Sequence, residues 1–541
     1  MKIARMQDYA QLASDFALEL PTSFNFGRDV VDAQAERNDK PALIWCNEAG
    51  DERRFRFSDI KRQSNQLANL LGRQGLRKGD RILVLMPRLP EWHVSMVACL
   101  KIGAIPIPCI EMLTPKDIAY RVSDAGAIGA ITTAPNCHKF EGAGPLRTRV
   151  VVGDAVAGWT AWAEAAAESE AFESAAMDIE DPALLYYTSG SSGNPKGVLH
   201  ACRALYAWRL SAAWWQTLEE DDVKWCTSDT GWAKAGTGIL FGPWSRGSCV
   251  LFYDGRFEAA QRLRLLAKYR VTVFCAPATE FRHLVAAPVG EHDLSALRLS
   301  VSAGESVNPE IVRHWHALTG SQLLDGYGQT ETLMTVLNYP CMPVKPGSMG
   351  KPIPGTLFDI LAEDGRLLGD GEEGQLAMQL PNPQFMLGYW NNSARTQENI
   401  RRVGGTDYWL TGDLAIRDSD GYLFYTGRAD DIISSAGYRI GPTEVENALI
   451  EHPAVLESAV VASPDPERGE IVKAFVVLRE GVEPSRLLIE ALQKHVQEAT
   501  APYKYPRRID FVDSLPKNAS GKLLRRVLRD REYAAQTRSD P

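Results

Sequence analysis

A run of small hydroxyl residues and glycines, Thr188-Ser189-Gly190-Ser191-Ser192-Gly193-Asn194-Pro195-Lys196-Gly197, follows directly on the apolar stretch Ala183-Leu184-Leu185-Tyr186-Tyr187. A strand ending this way offers many backbone N–H groups with no bulky side chain in front of them. The loop can therefore wrap phosphate oxygens closely, with Lys196 supplying the opposing charge. The standard P-loop needs glycine before its lysine and Ser or Thr after it; here Pro195 and Gly197 hold those places, so this is a phosphate loop of another kind. Four more segments carry chemistry. In Ala303-Gly304-Glu305-Ser306 the glycine lets a flat ring approach the backbone. Asp325-Gly326-Tyr327-Gly328-Gln329-Thr330-Glu331 supplies an aromatic face, a hydroxyl and a carboxylate. That carboxylate suits Mg²⁺, which takes one or two acidic groups plus phosphate oxygens. Asp413, in Tyr408-Trp409-Leu410-Thr411-Gly412-Asp413, is placed to accept from two ribose hydroxyls. Lys522 ends the flexible stretch Pro516-Lys517-Asn518-Ala519-Ser520-Gly521-Lys522. Any one of these is more often structural than catalytic; together, in this order, they describe one site.

The elements that must position them alternate apolar runs with amphipathic stretches. Residues 81–86, 104–107 and 127–132 read as strands, and 90–102 and 115–125 as helices. Further strands are expected at 271–276 and 297–302. This order predicts β-α-β units and parallel sheets under helices. Short strands near 355–360 and 374–378 follow. The alanine-rich stretch 155–176 reads as a solvent-exposed helix or connector. Beyond Arg428-Ala429-Asp430-Asp431 the pattern changes to strands at 455–462, 473–479 and 508–512, with helices at 442–451 and 484–498. The fold class expected is therefore α/β, with a small α+β unit at the C-terminal end.

A chain of 541 residues exceeds one ordinary core. Its 45% apolar and 23% charged residues are those of a soluble globular protein. A net charge of −9 argues against general nucleic-acid binding. No apolar stretch spans a bilayer, and the first residues show no signal-peptide pattern, so a cytoplasmic location is expected. The nine cysteines are scattered and never form C-x-x-C, which predicts reduced, buried thiols. His314 and His316 point to different sides of a helix and make no ligand pair. The basic residues Arg525, Arg526, Arg529 and Arg531 read as a solvated helix face.

Taken together, the five motifs resemble the adenylate-forming superfamily of acyl-CoA synthetases, adenylation domains and luciferases, over nearly the whole length. Ser228-Asp229-Thr230-Gly231-Trp232-Ala233-Lys234, residues 325–331, Ala501-Pro502-Tyr503-Lys504-Tyr505-Pro506-Arg507 and Phe24-Asn25-Phe26-Gly27-Arg28-Asp29-Val30 are similar to the medium-chain acyl-CoA synthetases. The resemblance implies a large N-terminal adenylation domain, residues 1–429, with helix-flanked parallel sheets and a small distorted barrel. A small mobile α+β domain, residues 430–541, would follow. It implies that a carboxylate attacks ATP to give acyl-adenylate and pyrophosphate, and that the thiol of coenzyme A then displaces AMP. Thr188, Ser189, Gly190, Ser191, Ser192, Gly193 and Lys196 would hold the β- and γ-phosphates. Gly304, Glu305, Asp325, Gly326, Tyr327, Gly328 and Gln329 would surround adenine, with Tyr327 stacked on it. Thr330 would meet the α-phosphate, Glu331 the Mg²⁺, and Asp413 and Arg428 the ribose. Lys522 would bridge the substrate carboxylate and α-phosphate. Rotation about Asp430 would then withdraw Lys522 and bring in Ala436, Gly437 and Tyr438, with Gly437 leaving room for pantetheine. Arg439 would contact phosphate in the first state, and Arg468, Tyr505 and Arg507 the nucleotide of coenzyme A.

The resemblance also bears on the acid. Acetate-activating members carry tryptophan where this chain has Gly328, so glycine is expected to open the acyl pocket, lined further by Trp232, Gly236 and Gly238. Each methylene buried there contributes about 0.8 kcal/mol, and C4 to C10, branched or benzoate-like acids are expected over acetate. Two other readings stay open: a stand-alone adenylation enzyme that loads a carrier protein, and a nucleotide sensor without turnover. Candidate partners are the acid, ATP and coenzyme A, a second copy of the chain, and a lysine acetyltransferase and deacylase acting on Lys522; no nucleic acid and no membrane span are expected.

Overall fold

Short strands enclosed on both faces need helices above and below, which a parallel sheet provides. The computed structural model describes residues 3–188, 195–305, 307–429, 431–435, 438–465, 468–500, 503–517 and 523–537. Its largest sheet runs in the order Lys351–Pro352, Leu333–Leu337, Gln322–Gln329, Leu299–Ala303, Val273–Cys275, Val223–Cys226, Cys249–Asp254, Pro41–Asn47 and Glu52–Arg56. The six strands from Gln322–Gln329 to Pro41–Asn47 are parallel, and those outside them antiparallel. A second sheet, all parallel, orders Ile105–Cys109, Arg81–Leu85, Gly129–Thr133, Thr148–Val152 and Thr160–Ala161.

The crossover helices of the second sheet, Pro90–Ile102 and Pro115–Ala125, fall where the pattern places them. Each starts on a proline, whose missing N–H is no loss there, and stops on a left-handed glycine: Gly103 at φ 77° and Gly126 at φ 57°. One core joins the two sheets through Val84, Met86, Trp92, Trp208, Phe241 and Trp244. Lys101 lies wholly inside it, its ammonium 2.6 Å from both Asp32 Oδ1 and Asn65 Oδ1. Burial lowers the pKa of that lysine. Its stem occupies the place of a side chain at Gly27, which explains the glycine in the Asn25-Phe26-Gly27 stretch.

Of the two readings of the stretch 155–176, helix or connector, the structure shows the connector. Only Trp162–Ala167 forms a short 3₁₀ turn. The side-chain amides of Asn65, Gln66 and Asn69, on the helix Phe57–Arg73, take carbonyls between residues 166 and 171 that an α-helix would have used.

Two antiparallel sheets complete the large part. Gly388–Tyr389, Lys196–Ala201 and Pro182–Thr188 form one. Phe358–Leu361, Glu373–Leu380, Thr406–Arg417 and Ile400–Val403 form the other, with Leu423–Arg428 added to Thr406–Arg417. Register shifts interrupt this second sheet between Gln375 and Ala377 and between Leu414 and Ala415.

The C-terminal sheet orders Tyr438–Ile440, Ile433–Ser435, Gly469–Leu478 and Val455–Asp465, with Arg508–Phe511 parallel to Gly469–Leu478. Strand alternation sends Val460 to a core with Leu449, Leu492 and Val496. It sends Ala459 and Val461 to the other face, with Phe475 and Leu528. The arginines on Arg525–Thr537 are not one solvated face. The Arg525 guanidinium makes a two-pronged pair with the buried Glu446 carboxylate, whose Oε1 also accepts from Val460 N at 2.8 Å. Arg529 reaches Asp431 at 3.5 Å, while Arg526 pairs with Asp530 in solvent. Eight cysteines are buried and free, and Cys341 is exposed. Among the described residues no helix is long and apolar enough to cross a membrane.

Candidate active site

The strands Pro182–Thr188 and Lys196–Ala201 form a hairpin in which Thr188 pairs with Lys196, so the lysine stands at the base of the loop expected to hold phosphate. Ser189, Gly190, Ser191, Ser192 and Gly193 lie outside the described residues. The Lys196 ammonium sits 5.3 Å from the centre of the Tyr389 ring. Burial, then Arg395, lowers its pKa, against the pull of Glu331. The Tyr389 hydroxyl donates to Glu331 Oε1 at 2.8 Å. From the same strand as Lys196, the buried His200 donates from Nε2 to the Thr330 carbonyl at 2.7 Å. Burial pushes its pKa down to about 4, so the ring is neutral. Lys196, Tyr389, Glu331 and the main chain of Thr330 thus form one cluster.

Residues 325–331 connect that cluster to a second one. Asp413 and Arg428 face each other across neighbouring strands, with Arg428 Nη1 3.4 Å from Asp413 Oδ1. Asp413 Oδ2 accepts from the Tyr327 hydroxyl at 2.5 Å and from Gln329 Nε2 at 2.7 Å. Gln329 also donates to the Thr411 carbonyl at 2.8 Å. Three donors fix the orientation of this carboxylate, whose remaining lone pairs can accept further hydroxyls.

Gly304 takes φ 97°, and among the described residues, its two chain neighbours aside, no atom lies within 4 Å of where its side chain would be. A flat ring can approach here. Beside it, Glu305 Oε1 accepts from the N–H and hydroxyl of Thr279, at 2.7 and 2.6 Å, at the start of the helix Ala278–Val285. Lys234 Nζ donates to the Ala303 carbonyl at 2.9 Å. Asp325 accepts from Val307 N at 3.2 Å and Gly326 N at 2.9 Å; burial nevertheless raises its pKa to about 7.

The expected acyl pocket needs correction. The side-chain direction at Gly328 is filled by the Leu333 carbonyl of the adjoining strand. Its missing side chain therefore serves strand packing and opens no floor. A Cβ on Gly236 would lie 2.8 Å from Trp208 and 2.9 Å from Phe241, and one on Gly238 would overlap the Cys226 sulfur. Both glycines let the helix Ala233–Ile239 pack tightly. Of the four residues named for this pocket, Trp232 does line a cleft, with Cys109, Ile110, Leu113, Arg121 and Tyr187.

Of the coenzyme A candidates, Arg507 Nη1 donates to the Tyr505 hydroxyl at 3.0 Å, stacking over the ring. Arg468 lies on the turn before Gly469, whose partner Ser435 leads into the hairpin of Tyr438–Ile440. Tyr438 and Arg439 belong to that strand. Asp430, Ala436, Gly437 and Lys522 fall outside the described residues.

Sequence reasoning missed Tyr389, His200, Thr279 and Lys234. For His200 a signal existed, since period-two alternation puts it on the face of Lys196 and Val198. Tyr389 and Thr279 reach the site only through the fold.

A mixed α/β scaffold that gathers these groups around one hairpin defines a class. The AMP-binding enzyme family model matches residues 31–390, and the AMP-binding enzyme C-terminal domain model residues 444–522. The chain belongs to this family, and within it to the acyl-coenzyme A synthetases. It is 39% identical to acyl-coenzyme A synthetase ACSM3, mitochondrial, of Mus musculus, across 97% of this chain and 93% of that one. With ACSM4 of Homo sapiens it shares 41% over 95% and 91%. Among solved structures, the anthranilate CoA ligase AuaEII in complex with anthranoyl-AMP has a TM-score of 0.87 at 31% identity, covering 97% of this chain and 99% of its own. The benzoate CoA ligase of Burkholderia xenovorans has a TM-score of 0.83 at 30% identity, covering 94% and 100%.

Proposed function

We propose that the chain activates a carboxylic acid with ATP, giving acyl-adenylate and pyrophosphate, and then passes the acyl group to coenzyme A with release of AMP. The observation that carries this reading is the convergence of Tyr327, Gln329 and Arg428 on Asp413, joined through one stretch of chain to Glu331 and Lys196. It gives a ribose acceptor, an open face at Gly304 for adenine, and a cation at the phosphate loop.

The reaction brings a carboxylate against a polyphosphate, and the two repel. Fixed positive charge removes that barrier best where water is excluded. Lys196 serves the β- and γ-phosphates, Thr330 the α-phosphate, and Lys522 bridges the two anions. A lysine suits the last task because its long stem follows a moving domain. Residues 1–429 and 430–541 are the two domains of this proposal, with Asp430 as hinge and Gly437 admitting pantetheine after rotation. Among the described residues no group of three or more acidic, histidine or cysteine side chains would hold a metal alone. Glu331 with phosphate oxygens is a donor set that fits Mg²⁺, which when bound with ATP spreads the charge of the departing pyrophosphate.

The acid is expected to be medium-chain, branched or aromatic, and the cleft beside Trp232, rather than Gly328, is its place. A panel from acetate to palmitate, with isobutyrate, benzoate and anthranilate, scored by AMP formation with coenzyme A present, tests this; no turnover of any acid overturns the reading. Transfer to a phosphopantetheinyl protein in preference to free coenzyme A would favour the carrier-loading alternative. Lys522→Ala is expected to suppress pyrophosphate release at least a hundredfold while a pre-made acyl-adenylate still reacts with coenzyme A. Gly437→Leu should do the reverse. Cytoplasmic residence, pairing with a second copy and acetylation of Lys522 complete the proposal; fractionation, light scattering and mass spectrometry test them.

A further inference from the structure

The helix Ala278–Val285 touches both parts of the molecule. At its first turn Thr279 holds Glu305, beside the open face at Gly304. One turn further on, Arg282 Nη1 lies 3.5 Å from Glu457 Oε1 on the C-terminal strand Val455–Asp465. These side chains are only 22% and 12% exposed. The Glu457 carboxylate also accepts from Lys517 Nζ, at 2.6 and 2.7 Å to its two oxygens. Lys517 bridges to Leu523 in antiparallel fashion. That bridge spans residues 518–522, which lie outside the described residues and include Lys522.

We propose that Arg282, Glu457 and Lys517 are positioning residues that hold the small domain in its adenylate-forming orientation and must part before thioester formation. The inference rests on the two-step reading above. One carboxylate here serves a cation from each part of the molecule. While it is engaged, the base of the Lys522 segment is tied to the helix that anchors Glu305. Turning the small domain about Asp430 separates Glu457 from Arg282 and leaves Lys517 with its partner, so the tie discriminates between the two orientations. Loss of Glu457 does more than loss of Arg282, because it leaves two cations facing each other without the anion between them. A partly exposed ion pair contributes modestly, so the effect is a bias between orientations rather than an absolute block.

The test measures the half-reactions separately in the full-length protein: acid-dependent pyrophosphate exchange, and thioester formation from pre-made acyl-adenylate. Arg282→Gln is expected to slow the first about fivefold and Glu457→Gln about tenfold or more, each with thioester formation unchanged or faster. Arg282→Lys, which keeps the charge, should restore exchange toward the parent rate. In the parent, added salt should slow exchange more than transfer, and this difference should shrink in Glu457→Gln. Equal losses in both half-reactions, or unchanged exchange in both glutamine variants, overturn the proposal. Lys522→Ala is run alongside: if it leaves exchange intact, the two-step assignment of Lys522 is wrong and the positioning role falls with it. If Lys522→Ala abolishes exchange while Arg282 and Glu457 variants do not change it, only the positioning role is lost.

Discussion

Asp413 gathers Tyr327 and Gln329 from one strand and Arg428 from another, and Glu331 takes Tyr389 from a distant stretch in the same way. Tyr389→Phe removes one hydrogen bond to a carboxylate, worth about 1.5 kcal/mol. The apparent KM for magnesium-ATP should rise several-fold, with kcat much less affected, in steady-state assays at varied nucleotide. His200 and His93 are buried, each with a pKa pushed down to about 4 from the ordinary 6.5. Between those values the unfolded chain binds protons that the folded chain refuses, so stability is full above pH 6.5 and declines as pH falls through the window. Each histidine contributes up to about 3 kcal/mol of that decline, and denaturation midpoints from pH 4 to 7 should show it. Asp325 acts oppositely. Its raised pKa, about 7, makes the folded state hold a proton the unfolded state has lost. The stability of the parent relative to Asp325→Asn should therefore fall as pH rises from about 4 to 7.

The elements follow their local signals closely where punctuation is strong. The helices at 90–102 and 115–125 were legible to the residue because proline opens each and glycine closes it. The stretch 155–176 left helix and connector both open because alanine favours helix, and Asn65, Gln66 and Asn69, about a hundred residues away in sequence, decide for the connector by claiming its carbonyls. Arg525 misled: nothing in a basic run tells which arginine will meet a buried Glu446. Glu446→Ala leaves that guanidinium enclosed without its anion, and a loss of about 3 kcal/mol is expected in chemical denaturation. Gly328 belongs to this scale as well. Any side chain there meets the Leu333 carbonyl, so Gly328→Ala should cost about 2 kcal/mol through displaced strands. An unchanged denaturation midpoint with altered acid selectivity would restore the pocket reading.

For the molecule as a whole, motifs made of consecutive residues could be picked out from the sequence, and contacts between distant segments could not. Residues 325–331 and Asp413, which the fold brings together, were legible as candidates because their chemistry is local. Tyr389 and Thr279 were not, since their partners Glu331 and Glu305 reach them only once the sheets are assembled. The distribution of cysteines has a consequence of the same breadth. An enzyme whose second substrate is a thiol is exposed to the mixed disulfides and activated esters that thiol forms, and exchange requires a sulfur that a nucleophile can reach. With eight sulfurs enclosed and Cys341 alone at the surface, the folded protein should titrate rapidly with a single equivalent of a thiol-specific dye. Its polypeptide then offers thiol exchange a single surface sulfur.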